Sequence, residues 1–160
     1  MQIKEATLTD ASAILSIIMP VIRASETYAL DPNLSEDEAL AYWLGDNKTT
    51  FVAEDDGAIL GTYYLRRNQT GGGAHVCNCG YITSSAATGR GVARAMCVHS
   101  IDRAQALGYR AMQFNFVVST NERAVRLWEA LGFEIVGRLP LAFNHPSRGY
   151  VDALVMHRSL

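Results

Sequence analysis

Apolar residues change their spacing several times along the chain, and each change marks an element. Ala13, Ile14, Ile17, Ile18, Val21 and Ile22 recur at three- and four-residue steps, the spacing of one helix face. Thr9 and Asp10 precede that run and can cap a helix reaching about Ala24. Pro20 lies inside it and should kink or shorten it. Before it, Met1 to Thr7 alternates weakly, as a strand does. Ser35 with Glu38 three residues on spells a capping box. The helix it opens runs through Leu44 and is stopped by Gly45.

The period then falls to two. Thr49 to Ala53 and Ile59 to Arg66 read as strands joined by the turn Asp55-Asp56-Gly57. The glycine-rich segment Gln69 to Ala74 reads as a hairpin loop, and His75 to Thr83 as a third strand. Gly89 to Leu107 reads as a long helix, with Val92, Ala95, Met96, Ile101 and Leu107 near one face and Gly108 as its stop. Ala111 to Val118 is an apolar strand. Ser119-x-x-Glu122 spells a capping box for a helix ending at Gly132, and Phe133 to Arg138 and Tyr150 to His157 read as closing strands. The order β-α-α-β-β-β-α-β-α-β-β predicts an α/β domain around a mixed, mostly antiparallel sheet.

Composition narrows the class. The 160 residues are 49% hydrophobic and 19% charged, enough for a single domain over residues 1–160 with its own core. Fourteen basic against sixteen acidic residues give a net charge of −2, which argues against a nucleic-acid partner. Three cysteines, Cys77, Cys79 and Cys97, and no apolar leader predict reduced thiols in a cytoplasmic protein. The most apolar stretch, Ile14 to Ile22, is interrupted by Ser16 and Pro20 and is far short of the ~20 residues of a membrane span.

The turn Thr88-Gly-Arg-Gly-Val-Ala-Arg94 lies between a strand and the long helix. Glycines there let backbone N–H groups approach a ligand, and a helix N-terminus adds unpaired donors and partial positive charge. Arg90 and Arg94 add full charges, so a phosphate or pyrophosphate fits. From Thr88 to Ala130 six arginines face three acids, leaving +3 there and −5 in the remainder. A P-loop is excluded because no Lys follows the glycines. A dinucleotide fingerprint is excluded because Arg94 stands where it needs a small residue. The remaining alternative is a tight strand-to-helix turn with no ligand.

That turn, followed by Asn121-x-x-Ala124-x-x-Leu127-Trp128-x-x-Leu131-Gly132-Phe133, resembles the GCN5-related N-acetyltransferase (GNAT) superfamily over essentially the whole chain. The resemblance implies a GNAT fold, an α/β arrangement of six to seven mostly antiparallel strands flanked by four helices. It also implies acetyl-CoA as co-substrate and a homodimer. In the family the turn, here Thr88, Gly89, Arg90, Gly91, Val92, Ala93 and Arg94, binds the pyrophosphate. The strand before it, here Tyr81, Ile82 and Thr83, pairs with the pantetheine arm, and Asn121, Ala124 and Trp128 complete the cofactor site. Two positions depart from the pattern. Thr88 stands where the family usually has Arg or Gln, and Trp128 where it often has the Tyr that protonates the leaving thiolate. An indole N–H donates a hydrogen bond but is no practical acid.

A narrower likeness rests on Glu26-Thr27-Tyr28, on His75 to Gly80, on Phe114-Asn115 and on Gly149 to Ala153. These look like a subgroup that includes fungal acetyltransferases acting on proline analogues such as azetidine-2-carboxylate. Carried over, Asn78 and Asn115 hold the acceptor amine or carboxylate, with Thr27, Tyr28 and Tyr150 around it and Glu26 as a candidate base. Proton removal through water is the alternative to Glu26, and hydrogen bonds to backbone are the alternative role for the two asparagines. His75, Cys77 and Cys79 alternate along a strand, but their spacing is not that of a zinc site and no metal is expected. The Asn144-His145-Pro146 segment reads as a loop able to close over a small acceptor. The expected function is direct acetyl transfer from acetyl-CoA to a small-molecule amine. A non-catalytic acyl-CoA-binding module and a protein N-acetyltransferase stand as alternatives.

Overall fold

The computed structural model describes residues 1–160. Its strands are β1 (Gln2–Glu5), β2 (Lys48–Asp55), β3 (Ala58–Arg67), β4 (Val76–Thr83), β5 (Ala111–Val118), β6 (Glu134–His145) and β7 (Gly149–Ser159). Its helices are α1 (Ala11–Ala24), α2 (Glu36–Trp43), α3 (Val92–Ala106) and α4 (Glu122–Ala130). The strands form one seven-stranded sheet in the order β1-β2-β3-β4-β5-β7-β6. Every neighbouring pair is antiparallel except β4 and β5, which are parallel.

Helices cover both faces. The apolar stripe of α1 buries Ile14, Ile17, Ile18 and Ile22 with Ala39 and Trp43 of α2 against Val52, Tyr64 and Ile82 of the sheet. At about 1.5–3 kcal/mol per buried large aliphatic side chain, this stripe holds α1 down despite Pro20, and the helix runs on to Ser25 in the left-handed region (φ 51°). The eight residues of α2 are too few for a stable isolated helix. They are fixed by the Ser35–Glu38 capping box, in which each residue's backbone N–H donates to the other's side chain at 2.8 and 3.1 Å. The Trp43 indole also donates to Thr62 Oγ1 at 2.9 Å. On the opposite face Val92, Met96, Cys97 and Ile101 of α3 and Trp128 of α4 pack against Phe51, Tyr63, Leu65, Cys79 and Phe114.

Several sequence readings are corrected. Helix α3 starts at Val92 rather than Gly89, because Gly89 and Gly91 both take positive φ (82° and 76°) and cannot lie in a right-handed helix. Leu107 is 52% exposed and does not belong to its buried face. The cap of the first helix is shifted: Thr7 N–H donates to Asp10 Oδ2 at 2.8 Å around a short 3₁₀ turn, Leu8–Asp10, that feeds α1. Ser119 caps nothing, because its N–H still donates to the Asp152 carbonyl of β7 at 2.9 Å and α4 opens from Asn121. Strand β6 does not stop at Arg138. It passes Pro140, which an edge strand tolerates on its unpaired side, and reaches His145 after an irregularity at Leu141 (φ 49°). Asn144 and His145 therefore pair with Tyr150 and Gly149 inside the β6–β7 ladder instead of forming a loop.

Candidate active site

The parallel pair β4–β5 is in register only at Val76 with Ala111 and Cys77 with Met112. Beyond that point the two strands part. The Asn78 side chain spans the point of divergence, its Nδ2 donating to the Gln113 carbonyl at 2.9 Å. β5 carries an irregularity between Phe114 and Val117 against its other neighbour, β7, which adds to the divergence. A cavity of about 240 Å³ occupies the opening, lined by both strands, by the segment after α1 and by α4.

Of the acceptor-side residues read from the sequence, Thr27, Tyr28, Asn78 and Asn115 line this cavity. The Tyr28 hydroxyl donates to the Tyr81 carbonyl at 3.1 Å. Burial pushes the Tyr28 phenol far above its ordinary range, so it stays a neutral donor. Each residue of an antiparallel ladder points its N–H and C=O to the same side, so the Tyr81 N–H faces the opening too. Asn78 Oδ1 accepts from Arg66 Nε at 3.2 Å. Asn115 Nδ2 donates to Asn68 Oδ1 at 2.7 Å, and Asn115 Oδ1 accepts from Gln113 Nε2 at 2.9 Å. Both asparagines are thus held by the protein itself, and each keeps part of its four-bond capacity for another partner.

Two readings are not brought to the cavity. Glu26 is exposed and lies outside its lining, although its neighbour Thr27 is in it. Tyr150 is 68% exposed at the start of β7 and is likewise absent from the lining. The sequence reading missed Arg66, Tyr42 and Tyr64, which do line it. The alternation Thr62, Tyr64, Arg66 along β3 was the available signal. An Arg-Arg pair at a strand end reads as solvated surface, which hid it.

Beyond the far end of β4 lies the glycine turn. A Cβ on Gly89 or Gly91 would meet no atom within 4 Å, so the turn is an open cradle. In the turn the Arg90 N–H donates to the Ala87 carbonyl at 3.2 Å, while the N–H groups of Gly89, Gly91 and Val92 bond nothing within the chain, as at helix N-termini that bind anions. This fits a pyrophosphate. Arg94 is exposed and in no ion pair. Arg90 Nη2 meets Asp55 Oδ2 at 2.7 Å. The chain's amino group, and then Arg90, hold the Asp55 carboxyl below its ordinary range. The Thr88 hydroxyl donates back to the Ser85 carbonyl at 2.9 Å, tying the turn to itself. Val92 is buried in the core and Ala93 half-buried.

Between cradle and cavity, Ile82 is buried and Thr83 half-buried. The side chain of Tyr81 turns to the α3 face, where its hydroxyl and Ser100 Oγ are 2.7 Å apart. Asn121, Ala124 and Trp128 of α4 reach the cavity. The Trp128 ring packs 5.0 Å from Tyr81 and 5.2 Å from Phe114. No fully buried side-chain nitrogen or oxygen lacks a partner. Trp128 Nε1 has none within the chain, so it is not fully buried, and the residue lines the cavity. The three cysteines are buried and unpaired. Burial pushes the Cys97 thiol up to about 12 and Cys79 well above its ordinary value, so neither supplies a thiolate nucleophile near neutral pH. His75 is exposed just before β4.

The model of the Acetyltransferase (GNAT) family matches residues 17–133. The N-acetyltransferase aca1 of Schizosaccharomyces pombe is 32% identical over 99 residues, 61% of this chain and 47% of that protein, so the match spans about half the length of that relative. A GCN5-related N-acetyltransferase from Kribbella flavida is 45% identical, with a TM-score of 0.95 over 99% of this chain and 97% of the other. A phosphinothricin acetyltransferase from Sinorhizobium meliloti, solved in complex with acetyl-CoA, shares the fold at 23% identity, with a TM-score of 0.87 over 99% of this chain and 88% of that one.

Proposed function

Because the chain belongs to the acetyltransferase (GNAT) family, we propose that it transfers the acetyl group of acetyl-CoA directly to the amine of a small molecule, an amino acid or an amino-acid-like compound. One observation carries this reading: β4 and β5 part between an anion cradle at Gly89–Gly91 and a cavity at Asn78 and Asn115. The cradle, with Arg94 beside it, takes the pyrophosphate. The open edge of Tyr81 to Thr83 takes the pantetheine arm, and Asn121, Ala124 and Trp128 flank it. Acetyl-CoA supplies the activated acyl group there.

The chemistry needs a neutral amine, an acceptor for its proton and donors for the developing oxyanion. The amine nitrogen attacks the thioester carbonyl carbon, the C–S bond breaks and the electron pair leaves on sulfur. The Tyr81 N–H is the backbone donor on the side where the oxyanion forms. Asn78 and Asn115 orient the amine, and Tyr28 closes the cavity above Tyr81. With Glu26 outside the lining, the amine proton leaves to water in the cavity. Trp128 donates a hydrogen bond to the departing sulfur, and solvent protonates it, since a thiol pKa of about 8.5 makes the thiolate a tolerable leaving group near pH 7. The raised Cys79 and Cys97 thiols support transfer without an enzyme-bound acyl group.

Incubation with acetyl-CoA and a panel of amino acids, imino acids such as proline and azetidine-2-carboxylate, and amino-acid-like toxins tests this reading, with products followed by mass spectrometry. An acetylated product that is lost in Asn115→Ala is the expected result. No product from any amine, with acetyl-CoA still raising Tm, would instead favour an acyl-CoA-binding module or a protein substrate. The absence of an acidic group at Trp128 is the observation that keeps the binding module in view.

Residues 1–160 are read as one domain that acts as a homodimer in a reducing cytoplasm. The unpaired cysteines support the compartment. The edge strand β6, with Val136 58% and Leu141 64% exposed, supports self-association. No helix is long and apolar enough to cross a membrane.

A further inference from the structure

The acceptor cavity contains a single charged side chain, and that side chain has no counter-ion. Arg66 lines it, and no Asp, Glu, Lys or His does. Its Nε donates to Asn78 Oδ1 at 3.2 Å, which fixes the guanidinium plane, while its two Nη groups find no acceptor in the chain. Lys48 sits directly across β2–β3 from Arg66, its ammonium 3.8 Å from the centre of the Tyr42 ring and bonded to the Tyr42 carbonyl. Neither cation joins any ion pair of the molecule. Burial, and then the Arg66 charge, push the Lys48 ammonium down to about 8, as expected where positive charge is left uncompensated. A half-buried guanidinium with free forked donors is costly unless an anion completes it.

Acetyl-CoA does not supply that anion. Arg66 pairs with Asn78, at the closed end of the β4–β5 opening, whereas the glycine cradle follows Thr83. At about 3.3 Å per residue, Asn78 and Thr83 lie roughly 17 Å apart along β4. The counter-ion therefore arrives with the acceptor. We propose that Arg66, held by Asn78, binds a carboxylate of the acceptor and makes the enzyme selective for anionic amines, free amino acids in particular, over amides and polyamines.

This rests on the small-molecule reading above and sharpens it. An amino acid in its attacking form, with a neutral amine and an ionised carboxyl, carries a charge of −1, which Arg66 neutralises. The same cation disfavours the ammonium form of the bound amine and repels acceptors whose only charge is positive.

The test compares kcat/KM for free amino acids, their carboxamides and the corresponding decarboxylated amines. Wild type is expected to favour the acid by about 100-fold, the scale of a forked, charge-assisted pair. R66Q is expected to bring the ratio close to 1. R66K keeps a point charge without the fork and should fall between. Equal use of acids and carboxamides by wild type overturns the proposal. So does an undiminished ratio in R66Q, or in R66K if R66Q does not fold. If no amine at all is acetylated, the small-molecule reading fails, and Tm shifts with N-acetyl amino acids then decide this one. A shift in wild type that is absent in R66Q upholds the anion site, and no shift in wild type overturns it.

Discussion

The Tyr64 ring lies directly over the Gly80 backbone: a Cβ on Gly80 would come within 2.7 Å of Tyr64 Cζ and 2.8 Å of its hydroxyl oxygen. Tyr64 also packs edge-on against Trp43, with centroids 5.0 Å apart, so it has nowhere to retreat except into the cavity. Gly80→Ala is therefore expected to cost about 1–3 kcal/mol, the usual range for overpacking, and to narrow the acceptor site. Thermal unfolding should show the loss, and KM for the acceptor should rise more than KM for acetyl-CoA. A variant with unchanged Tm would mean that the ring moves freely.

How much of this was legible in the sequence depends on how local the cause was. The α1 stripe could be read because its spacing is set by the helix itself, and the sheet face it buries follows. The tight turn before α3 could be read because Gly89 and Gly91 serve a backbone conformation that other residues avoid. Strand β6 extends past Arg138 through Pro140, which its place at the sheet edge allows and which the local pattern does not announce. Arg66 was missed for a non-local reason. Its lack of a counter-ion emerges only when β2, β3 and β4 are assembled and no carboxylate arrives opposite it. The parting of β4 and β5 is likewise absent from either strand's pattern.

His99 of α3 gives the fold a pH dependence. Its Nδ1 lies 2.7 Å from the buried Tyr63 hydroxyl, and its ring centre is 5.4 Å from that of Phe51. Burial holds its pKa below the ordinary value, with the Asp102 charge opposing and the Arg103 charge adding. The unfolded chain, with a histidine pKa of about 6.5, thus takes up the proton first as the solution is acidified. The stability contributed by neutral His99 is present above about pH 6.5 and is lost as pH falls through the folded-state value. Tm should drop between pH 7 and pH 5, and His99→Gln should flatten that slope. An equally steep slope in the variant would assign the effect to other groups.

Trp128 separates packing from hydrogen bonding. Trp128→Phe keeps an aromatic ring against Tyr81 and Phe114 but removes the indole N–H, which has no partner within the chain. If that donor acts on the leaving sulfur, kcat should fall about tenfold, the value of one hydrogen bond made mainly in the transition state, with KM for acetyl-CoA little changed. Trp128→Tyr should recover part of the rate. A Phe variant with wild-type kcat and a raised KM would make Trp128 a packing residue only.

Asp55 holds an arginine that the proposed pyrophosphate cradle would otherwise use. Arg90 is held at 2.7 Å by a carboxylate, and that same negative charge stands near the place where the pyrophosphate is expected. Asp55→Asn removes both effects. The ion pair is solvent-exposed, so Tm should change little. Acetyl-CoA binding should tighten by about two- to threefold in low salt, and the gain should fade as ionic strength rises and screens the interaction. Arg94→Ala, which removes a cation with no internal partner, should weaken binding in the same assay. Titration calorimetry with acetyl-CoA at two salt concentrations checks both. Unchanged affinity in Asp55→Asn would mean that Arg90, even when released, takes no part in binding and that the glycine N–H groups and Arg94 hold the pyrophosphate without it.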